Sequence, residues 1–255
     1  MRIVIFSGTT EGRKLSRRLS GRGAEILVSV ATDYGREEQG ISDGVTVLTG
    51  RKNREEMAEI LQNAALCVDA THPYAVDATK NIQAACELAK VPYRRLLREA
   101  CSIAGNADTL SGNIVTVANA SGAAAYLERT EGNILLTTGA KELCCYAALN
   151  PLRLYPRILP THEGLSACEK LGIPHRNILA LQGPFSRELN EALIHQYQVA
   201  WLVTKDGGKT GGFPEKLQAA QHTGVTVILL RRPEETGESF AEIAAFCEKL
   251  LCENL

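Results

Sequence analysis

The sequence lacks a strong charge of either sign, and it lacks long hydrophobic runs. Its formal net charge is -1 over 255 residues, so no basic field exists to attract nucleic acid or an acidic lipid surface. No apolar stretch approaches the roughly 18 residues that a membrane span requires. The apolar start, residues 1–6, is shorter than the core of a secretory signal. We therefore expect a cytoplasmic protein that binds neither nucleic acid nor membranes.

Several catalytic and metal-binding patterns are also missing. No H-E-x-x-H or G-x-x-x-x-G-K-[ST] segment occurs, so zinc-peptidase and P-loop chemistry gain no support. The eight cysteines form no C-x-x-C pair, and no histidine stands at zinc-ligand spacing from them. Most stand in apolar surroundings, which predicts buried, reduced thiols and no metal site.

The sequence does contain a regular alternation of short β-rich runs and amphipathic stretches. The predicted strands are Arg2–Phe6, Glu25–Val30, Leu66–Asp69, Tyr93–Leu97, Ile114–Val117, Ile134–Thr137, Asn177–Leu181, Ala200–Thr204 and Val225–Leu230. The predicted helices are Glu11–Leu19, Arg54–Gln62, Ala75–Ala89, Ala120–Arg129, Arg187–His195 and Phe213–His222. Apolar strands that alternate with helices indicate buried parallel sheets.

More than eight strands favour an α/β fold of two Rossmann-like domains with mainly parallel sheets. A closed barrel of eight β/α units is the rival, and the irregular helix lengths disfavour it. We place the boundary near Pro92, with one domain over residues 1–95 and the other over 96–255. Turns rich in glycine, serine and threonine follow several strands, at the carboxyl ends where open α/β sheets bind ligands.

The first of these turns, S-G-T-T-E-G-R, joins the first strand to the first helix. Gly8 and Gly12 let the backbone approach a phosphate closely. Thr9, Thr10 and Glu11 bring hydroxyls and the N–H groups of a helix start. The spacing is not G-x-G-x-x-G, so a tight turn capped by threonine is the alternative to a nucleotide site.

The residues alone leave the choice between NAD and NADP open. Asp33, after the second strand, would bind the ribose hydroxyls of NAD, whereas Arg36 would accommodate the additional phosphate of NADP. Arg51, after an apparent third strand, is a further phosphate candidate. Either arginine would equally serve as a solvated loop charge.

Three later turns bring further side chains to strand ends. D-A-T-H-P-Y-A presents Thr71, His72 and Tyr74, and histidine and tyrosine can donate protons or bind carboxylates. In Q-G-P-F-S, Phe185 could stack on a flat ligand, or Ser186 could simply cap the next helix. T-K-D-G-G suits a loop that closes over a ligand, or a mobile glycine turn.

These turns, in this order, resemble one family, the precorrin-6A reductases with their cobalt-precorrin-6A counterparts. The resemblance covers essentially the whole chain and rests on S-G-T-T-E-G-R at 7–13, D-A-T-H-P-Y-A at 69–75, T-G-A-K at 138–141, R-I-L-P at 157–160, L-Q-G-P-F-S at 181–186, T-K-D-G-G at 204–208 and G-G-F-P-E-K-L-Q-A-A at 211–220. Two positions depart from it: the family commonly has glycine where Ser7 stands and serine where Gly207 stands. The second departure removes a possible hydroxyl contact to the ligand.

The resemblance implies two Rossmann-like domains with the active site in a cleft between them. It implies hydride transfer from NADPH to a carbon–carbon double bond of the macrocycle, which converts precorrin-6A to precorrin-6B in cobalamin biosynthesis. The cofactor is then expected at Gly8, Thr9, Thr10, Glu11 and Gly12, with Thr71 and His72 nearby, and NADPH makes Arg36 and Arg51 the candidates for its additional phosphate. Tyr74 and Asp206 are the catalytic candidates, because a proton must also reach the ring.

The substrate carries many acetate and propionate carboxylates, so its site should offer cations and hydrogen-bond donors. The expected contacts on the matched turns are Lys141, Arg157, Gly183, Pro184, Phe185, Ser186 and Lys205. Whether cobalt is already in the ring stays open. Hand-off of the product to a neighbouring pathway enzyme would be a further partnership.

Other classes of protein compete with a reductase. An NAD(P)-dependent dehydrogenase of a small substrate would want a cleaner glycine fingerprint and a Tyr-x-x-x-Lys pair, and Tyr93 and Tyr126 lack such a lysine. A non-catalytic tetrapyrrole-binding or nucleotide-binding protein would bind its ligand without consuming NADPH. A phosphate-binding sensor domain fits poorly, because the matched turns span both halves of the chain.

Overall fold

The computed structural model describes residues 1–98, 113–208 and 211–253. The chain divides into two compact units: unit 1, Met1–Glu99 with Pro233–Leu255, and unit 2, Ala100–Arg232. The predicted α/β class is confirmed, since each unit holds a parallel sheet among helices. The predicted domains, 1–95 and 96–255, need a correction at the end of the chain, because residues 233–255 return to unit 1.

Strands and helices alternate along the described residues. The strands are β1 (Arg2–Ser7), β2 (Glu25–Val30), β3 (Val45–Thr49), β4 (Ala64–Ala70), β5 (Tyr93–Arg95), β6 (Ile114–Val117), β7 (Asn133–Leu136), β8 (Leu154–Ile158), β9 (Leu179–Ala180), β10 (Val199–Lys205) and β11 (Thr226–Leu230). The helices are α1 (Thr10–Leu19), α2 (Asp33–Gln39), α3 (Arg54–Leu61), α4 (Val76–Ala89), α5 (Ala120–Leu127), α6 (His162–Lys170), α7 (Arg187–Gln196), α8 (Phe213–Thr223) and α9 (Phe240–Cys252). Short 3-10 segments lie at Ala140–Tyr146, Pro151–Arg153 and His175–Asn177.

The sheet of unit 1 has the strand order β3-β2-β1-β4-β5, and every neighbouring pair is parallel. Side chains of the central strand β1 alternate between two cores: Ile3 and Ile5 lie in one, and Val4 and Phe6 lie in the other. All four side chains are buried. Burial on both faces explains why β1 is a continuous apolar run in the sequence.

Helix α9 explains why the end of the chain belongs to unit 1. Its Ile243, Ala244, Cys247 and Leu251 recur at helical spacing and are buried in the same core as Ile3. These four side chains form an apolar stripe on one side of α9, and the stripe packs onto the sheet of unit 1. The predicted helices did not include α9, so the domain prediction placed residues 233–255 in the second domain instead of unit 1.

The sheet of unit 2 has the order β6-β11-β10-β7-β8-β9, again parallel throughout. Side chains of β7 alternate in the same way: Ile134 and Leu136 lie in one core and Leu135 in another. Two separate sheets exclude the closed barrel. The predicted strands omitted β8, whose Pro156 pairs in register with Leu136, because proline normally argues against a strand.

A short capping pattern recurs at four helix starts. A threonine or asparagine side chain accepts a hydrogen bond from the N–H of a glycine three residues later, which satisfies one N–H of the first turn. The pairs are Thr9–Gly12, Thr32–Gly35, Asn119–Gly122 and Thr161–Gly164. In each case the cap sets the point at which the chain leaves a strand and begins a helix.

Four of the described cysteines are buried, as predicted for thiols in apolar surroundings: Cys67, Cys86, Cys168 and Cys247. Cys144 and Cys252 are exposed, and Cys101 lies outside the described residues. Across the described ranges no three His, Cys, Asp or Glu side chains are grouped to hold a metal ion. Helices long and apolar enough to cross a membrane are also absent from this part of the chain.

Candidate functional site

The strand order of unit 1 reverses between β1 and β4, which lie side by side. Open α/β sheets bind ligands at such a crossover, beyond the carboxyl ends of the two strands. Here the two ends continue into the S-G-T-T-E-G and D-A-T-H-P-Y-A turns. The Thr9 hydroxyl donates to the Ala70 carbonyl oxygen at 2.9 Å and joins the turns. The structure thus brings together the residues predicted to bind a cofactor here: Gly8, Thr9, Thr10, Glu11, Gly12, Thr71 and His72.

Two glycines permit this close meeting. A Cβ on Gly8 would lie 3.7 Å from both the His72 backbone nitrogen and the Thr71 Cα, which is ordinary contact. A Cβ on Gly12 would lie 2.7 Å from Ser7 Oγ and 2.9 Å from the Cβ of Ala70, which is closer than such atoms tolerate. Gly12 therefore lets the first turn of α1 pack on β4. The exposed Gly8 has no side chain that would keep a ligand away from the backbone of the turn.

The first turn of α1 presents N–H groups that have no partner within the helix. Thr9 accepts the Gly12 N–H at 3.2 Å, and the N–H groups of Thr10 and Glu11 precede it. The positive end of the helix dipole favours an anion at this place. The Glu11 carboxylate opposes that preference, but Arg98 lies 3.6 Å from it and offsets its charge. The turn therefore fits the phosphates of a nucleotide.

Asp69, near the end of β4, organises the second turn. Its carboxylate is fully buried, and Oδ1 accepts the N–H and the hydroxyl of Thr71 at 3.0 and 2.7 Å. Arg95 Nη1 donates to the same oxygen at 2.7 Å, and the Tyr93 hydroxyl donates to Oδ2 at 3.0 Å. Burial, followed by the nearby Asp69 carboxylate, raises the pKa of Tyr93. Thr71 is therefore held by a buried polar network.

Arg95 connects this network to the C-terminal segment. Its Nε donates to Glu235 at 3.1 Å, and its Nη2 pairs with the same carboxylate. Arg95 Nη1 also donates to the Thr71 hydroxyl at 3.0 Å. The returning end of the chain thus helps to position the D-A-T-H turn.

His72 and Tyr74 follow Thr71 on the same turn. The Tyr74 N–H donates to His72 Nδ1 at 3.4 Å, and the two ring centroids are 5.6 Å apart. Both side chains are half-buried. Residues with proton-transfer chemistry therefore stand at the carboxyl edge of the sheet of unit 1.

Arg36 and Arg51 lie along the same edge. Arg36 lies inside the described helix α2 and not in a loop, and Arg51 follows β3 by two residues; both side chains are exposed. Because β2 and β3 are the next strands beyond β1, both arginines follow strands on the same side of the β1–β4 crossover. Asp33, the alternative ribose contact, is the first residue of α2 and is also exposed.

The strand order of unit 2 reverses between β7 and β10. Lys205, the last residue of β10, donates to the Thr138 carbonyl oxygen at 3.4 Å and pairs with Glu142 at 2.7 Å. Asp206 is buried, and its Oδ1 accepts the Gly208 N–H at 2.9 Å. Both predicted residues therefore already have partners within unit 2. A substrate carboxylate at Lys205 would have to compete with Glu142.

A second cluster in unit 2 joins two of the predicted motifs. Arg157 of β8 is buried, and its guanidinium carbon lies 4.1 Å from the centroid of the Phe185 ring. Its Nη1 donates to Asn190 Oδ1 at 2.8 Å. Burial lowers the pKa of Arg157 to about 10. The R-I-L-P and Q-G-P-F-S motifs are thus neighbours in space.

The rest of the Q-G-P-F-S turn is exposed. A cis peptide bond joins Gly183 to Pro184. The Ser186 hydroxyl accepts the Leu189 N–H at 3.2 Å, so the capping role considered for this serine is observed at α7. A contact from Ser186 to substrate would be an additional role.

Lys141 lines a different depression. It is an open cavity of about 530 Å³ beside the Ala140–Tyr146 segment. Its other polar lining residues come largely from α6: His162, Glu163, Ser166 and Lys170. The described residues that line it include no other predicted substrate contact, so this depression does not join Lys141 to Arg157.

Comparison with known families settles the relationship of this chain to other proteins. The family model described as "Precorrin-6x reductase CbiJ/CobK" matches residues 2–249. The chain belongs to the precorrin-6x reductase CbiJ/CobK family. Membership confirms the resemblance drawn from the turn motifs and makes the protein an oxidoreductase. A reductase of this family takes its reducing equivalents from a nicotinamide cofactor.

Relatives of this precorrin-6x reductase family member cover nearly its full length. Cobalt-precorrin-6A reductase of Priestia megaterium is 34% identical over 238 residues, 91% of each chain. The protein of the same name from Salmonella typhimurium is 33% identical over 255 residues, 97% of this chain and 95% of the relative. Precorrin-6A reductase of Mycobacterium tuberculosis is 29% identical over 241 residues, 91% and 89% of the two chains.

A solved structure titled "CobK precorrin-6A reductase" shares the fold. It superposes with a TM-score of 0.75 and 21% sequence identity, covering 98% of this chain and 97% of that one. At this identity the likeness supports the architecture of the CbiJ/CobK family member and not the role of any one residue.

Sequence reasoning overlooked Lys216 in this reductase. Helix α8 buries Phe213, Lys216, Leu217 and Ala220, which recur at i, i+3, i+4 and i+7. That spacing was the available signal, because it assigns the lysine to the buried face. Lys216 Nζ donates to the Gly211 carbonyl oxygen at 3.2 Å.

The pairing of Arg95 with Glu235 was also overlooked, and here no signal existed. The two residues are 140 positions apart. No local pattern in the sequence connects a strand of unit 1 with a segment that follows unit 2. Only the return of the chain in three dimensions places them together.

Proposed function

We propose that this protein reduces a carbon–carbon double bond of precorrin-6A, or of its cobalt-containing form, with hydride from NADPH to give precorrin-6B in cobalamin biosynthesis. The observation that carries the proposal is the meeting of the S-G-T-T-E-G and D-A-T-H-P-Y-A turns at the β1–β4 crossover, in a chain that matches the family over residues 2–249. Relatives named cobalt-precorrin-6A reductase are 29% to 34% identical to the chain, and one named precorrin-6A reductase is 29% identical. These identities do not choose between the two rings, so both are tested.

Unit 1 would hold NADPH, whose nicotinamide supplies the hydride when bound. The N–H groups of Thr10 and Glu11 would bind the pyrophosphate, and Gly8 would admit it close to the backbone. Thr9 and Gly12 would fix the shape of that turn through their mutual hydrogen bond. Holding the cofactor in one orientation is the main contribution that the protein makes to hydride transfer.

The second turn and two arginines would complete the cofactor site. Thr71 and His72 lie against Gly8, so they would contact the cofactor beyond the pyrophosphate. Arg36 and Arg51 are exposed cations on the same sheet edge. We assign them to the additional phosphate that distinguishes NADPH from NADH.

Unit 2 would bind the macrocycle through its carboxylates. Lys141, Arg157 and Lys205 supply positive charge at the ends of β7, β8 and β10. The residues of the Q-G-P-F-S turn would provide the contact surface for the ring: Gly183, Pro184, Phe185 and Ser186. Arg157 covers one face of Phe185, which prepares this aromatic ring as part of a rigid surface.

Reduction also requires a proton on the carbon next to the one that accepts hydride. Tyr74 and Asp206 are the proposed donors. Because Asp206 Oδ1 already accepts the Gly208 N–H, the transferable proton would reside on Oδ2. Loss of a positioned general acid lowers turnover by roughly 100-fold to 10,000-fold.

The proposal is tested by following consumption of the reduced nicotinamide together with the absorption spectrum of the macrocycle. Purified protein is given precorrin-6A or cobalt-precorrin-6A with NADPH, and NADH serves as the control. Oxidation coupled to a spectral change of the ring supports the reductase. Binding of the ring without oxidation would indicate a carrier, and oxidation only with small alcohols or sugars would indicate an ordinary dehydrogenase.

The cofactor preference has its own test. Arg36→Met and Arg51→Met are each expected to raise the KM for NADPH by about 10-fold and to leave the KM for NADH unchanged, since one charge-assisted contact is lost. Arg54→Met removes an exposed arginine from α3 and is the matched control. Equal effects on both cofactors would refute the assignment to the additional phosphate.

The proton donors are tested by Tyr74→Phe and Asp206→Asn. A donor is expected to lose turnover while its KM for the ring changes little. Tyr126→Phe and Asp77→Asn alter exposed residues of the same types and serve as controls. Turnover near that of the unmodified protein in either test variant would exclude that residue as the general acid.

A further inference from the structure

Arg157 and Lys216 form a cluster of buried positive charge within unit 2, which we call the Arg157–Lys216 cluster. Their exposed fractions are 6% and 8%. Arg157 lies on β8 and Lys216 on α8, and burial, followed by the charge of Arg157, lowers the pKa of the lysine. Buried cations are normally paired with an acid, because desolvation of an unpaired charge is expensive.

The local backbone holds the two cations around one loop. Arg157 stacks on the Phe185 ring at 4.1 Å. A Cβ on Gly212 would lie 3.9 Å from the backbone nitrogen and oxygen of Phe185, so the start of α8 runs beside the same residue. Lys216 Nζ donates a hydrogen bond to the Gly211 carbonyl oxygen at 3.2 Å. The R-I-L-P, Q-G-P-F-S and G-G-F-P-E-K-L-Q-A-A motifs therefore meet around Phe185.

Neither cation has an acidic partner within the described residues of unit 2, 113–208 and 211–232. The Arg157 side chain donates to a neutral amide, Asn190 Oδ1, at 2.8 Å. Lys216 donates to a backbone carbonyl. Burial first, and then Arg157, lowers the pKa of Lys216 to about 7, and Glu215 opposes this shift.

The elements packed on α8 add no further charge to this balance. Helix α7 contributes the neutral Asn190, and its Glu191 is already paired with Arg187 and His222. On β10, Lys205 is paired with Glu142. Helix α8 itself contributes Glu215, whose Oε2 is buried without a hydrogen-bond partner.

Among the described residues, the cluster's two cations are thus accompanied by one anion, Glu215. One additional negative charge would neutralise it, whereas a doubly charged phosphate would leave an excess. Helix α8 also begins at Phe213 without a side-chain cap, so the N–H groups of Phe213 and Glu215 add favourable potential for an anion, while Pro214 has none to offer. A single carboxylate matches both the charge and the donors.

We infer that Arg157 and Lys216 form a subsite for one carboxylate group of the macrocyclic substrate, and this inference rests on the proposed function. Lys216 is then a substrate-binding residue. Phe185 and Asn190 are positioning residues that hold the Arg157 guanidinium. Binding of the carboxylate would complete the charge balance and fix the Lys216 ammonium in its protonated form.

The inference has a consequence for proton uptake. A carboxylate beside Lys216 favours the charged amine, so binding takes up a proton wherever the free lysine is partly neutral. Substrate affinity should therefore fall as pH rises above the pKa of the free lysine. A lysine with only a structural role would not produce this dependence.

The test measures binding of cobalt-precorrin-6A in the presence of oxidised NADP, which provides no hydride. Calorimetry in two buffers of different ionisation enthalpy reports the dissociation constant and the protons taken up, from about pH 6 to about pH 9. Lys216→Met is expected to weaken binding by about 10-fold to 100-fold and to abolish the proton uptake. Lys216→Arg should restore most of the affinity without the pH dependence.

The matched control is Lys249→Met, which removes an exposed lysine and should bind like the unmodified protein. If the unmodified protein turns over the ring but Lys216→Met binds it with the same affinity and pH dependence, the inference fails and the proposed function stands. If the unmodified protein neither binds nor reduces the ring, both fail. Loss of affinity for NADP alone would assign the subsite to a nucleotide phosphate and overturn the carboxylate.

Discussion

Arg95 in unit 1 and Arg157 in unit 2 are equally buried, at 5% and 6% exposure, yet the protein treats them differently. Arg95 pairs with two carboxylates, Asp69 and Glu235. Arg157 has a neutral amide and an aromatic ring as partners, and its charge acts on a second buried cation, Lys216 of α8. Burial of a cation therefore does not by itself reveal its role.

The partners distinguish the two roles. A buried arginine that the protein neutralises itself stabilises structure, and here it positions Thr71 on the candidate cofactor turn. A buried arginine without an acid keeps its charge available for a ligand. Acidic partners within unit 1 thus compensate the charge of Arg95, whereas the described residues around Arg157 and Lys216 leave an excess of one positive charge.

The largest effect is expected from breaking the neutralised site. Arg95→Met leaves the Asp69 and Glu235 carboxylates buried without their cation, and such a loss destabilises a protein by about 3–5 kcal/mol. Urea unfolding measures the change. Arg2→Met is the control, because its ion pair with Glu25 is exposed and should contribute no more than about 1 kcal/mol. Similar values for the two variants would remove the distinction between the two buried arginines.

The Arg157–Lys216 cluster should respond in the opposite way to Arg95, because removing one of its charges should stabilise the folded protein. The folded pKa of Lys216 is lowered to about 7 from its ordinary 10.5, so between these values the unfolded chain binds more protons than the folded one. Stability contributed through Lys216 therefore rises from about pH 7 to about pH 10.5, by at most about 1.4 kcal/mol for each pH unit. Lys216→Met should be more stable than the unmodified protein at pH 6, and the difference should shrink toward pH 10.

Equilibrium unfolding across this pH range, without ligand, checks the expectation. Lys249→Met is again the control and should run parallel to the unmodified protein. A constant difference between Lys216→Met and the unmodified protein at all pH values would mean that the lysine does not titrate in this range, and the two units would then differ less than proposed.

A smaller effect is expected where the helix starts of the two units are compared. Gly12 and Gly122 occupy the same position after their capping residues. A Cβ on Gly12 would lie 2.7 Å from Ser7 Oγ, whereas on Gly122 the nearest atom would be 3.6 Å away. Gly12→Ala should destabilise by about 1–3 kcal/mol through overpacking, and Gly122→Ala should be neutral or stabilising by up to about 1 kcal/mol.

Thermal unfolding of both variants measures this contrast, and the KM for NADPH should rise only in Gly12→Ala. The candidate cofactor turn depends on close packing of α1 on β4, and the start of α5 does not. Equal destabilisation would show that the glycine serves the cap alone in both helices.

The smallest effect separates two roles of Ser186. Ser186→Ala removes the cap of α7 and should lower stability by about 1 kcal/mol. Ser239→Ala removes a similar cap from α9 and provides the comparison. If Ser186 also binds substrate, Ser186→Ala alone should raise the KM for the ring. An unchanged KM would restrict this serine to its structural role.

The amino-acid sequence by itself determined the alternation of strands and helices and the turns that end the strands. Continuous apolar runs such as β1 can be stable only when both faces are covered, which dictates a parallel sheet between helices. The turn motifs also identified the family, because D-A-T-H-P-Y-A and Q-G-P-F-S stand in one order along the chain. These are local properties, and local patterns are visible in a sequence.

Only the tertiary structure decided which charges are neutralised. Glu235 reaches Arg95 because α9 returns to unit 1, and Lys216 comes under the influence of Arg157 because α8 starts beside Phe185. The free energy of a buried charge depends on partners within a few ångströms, and those partners come from distant parts of the chain. The sequence shows that an arginine is present, but the fold decides whether it holds the structure together or remains available to bind a ligand.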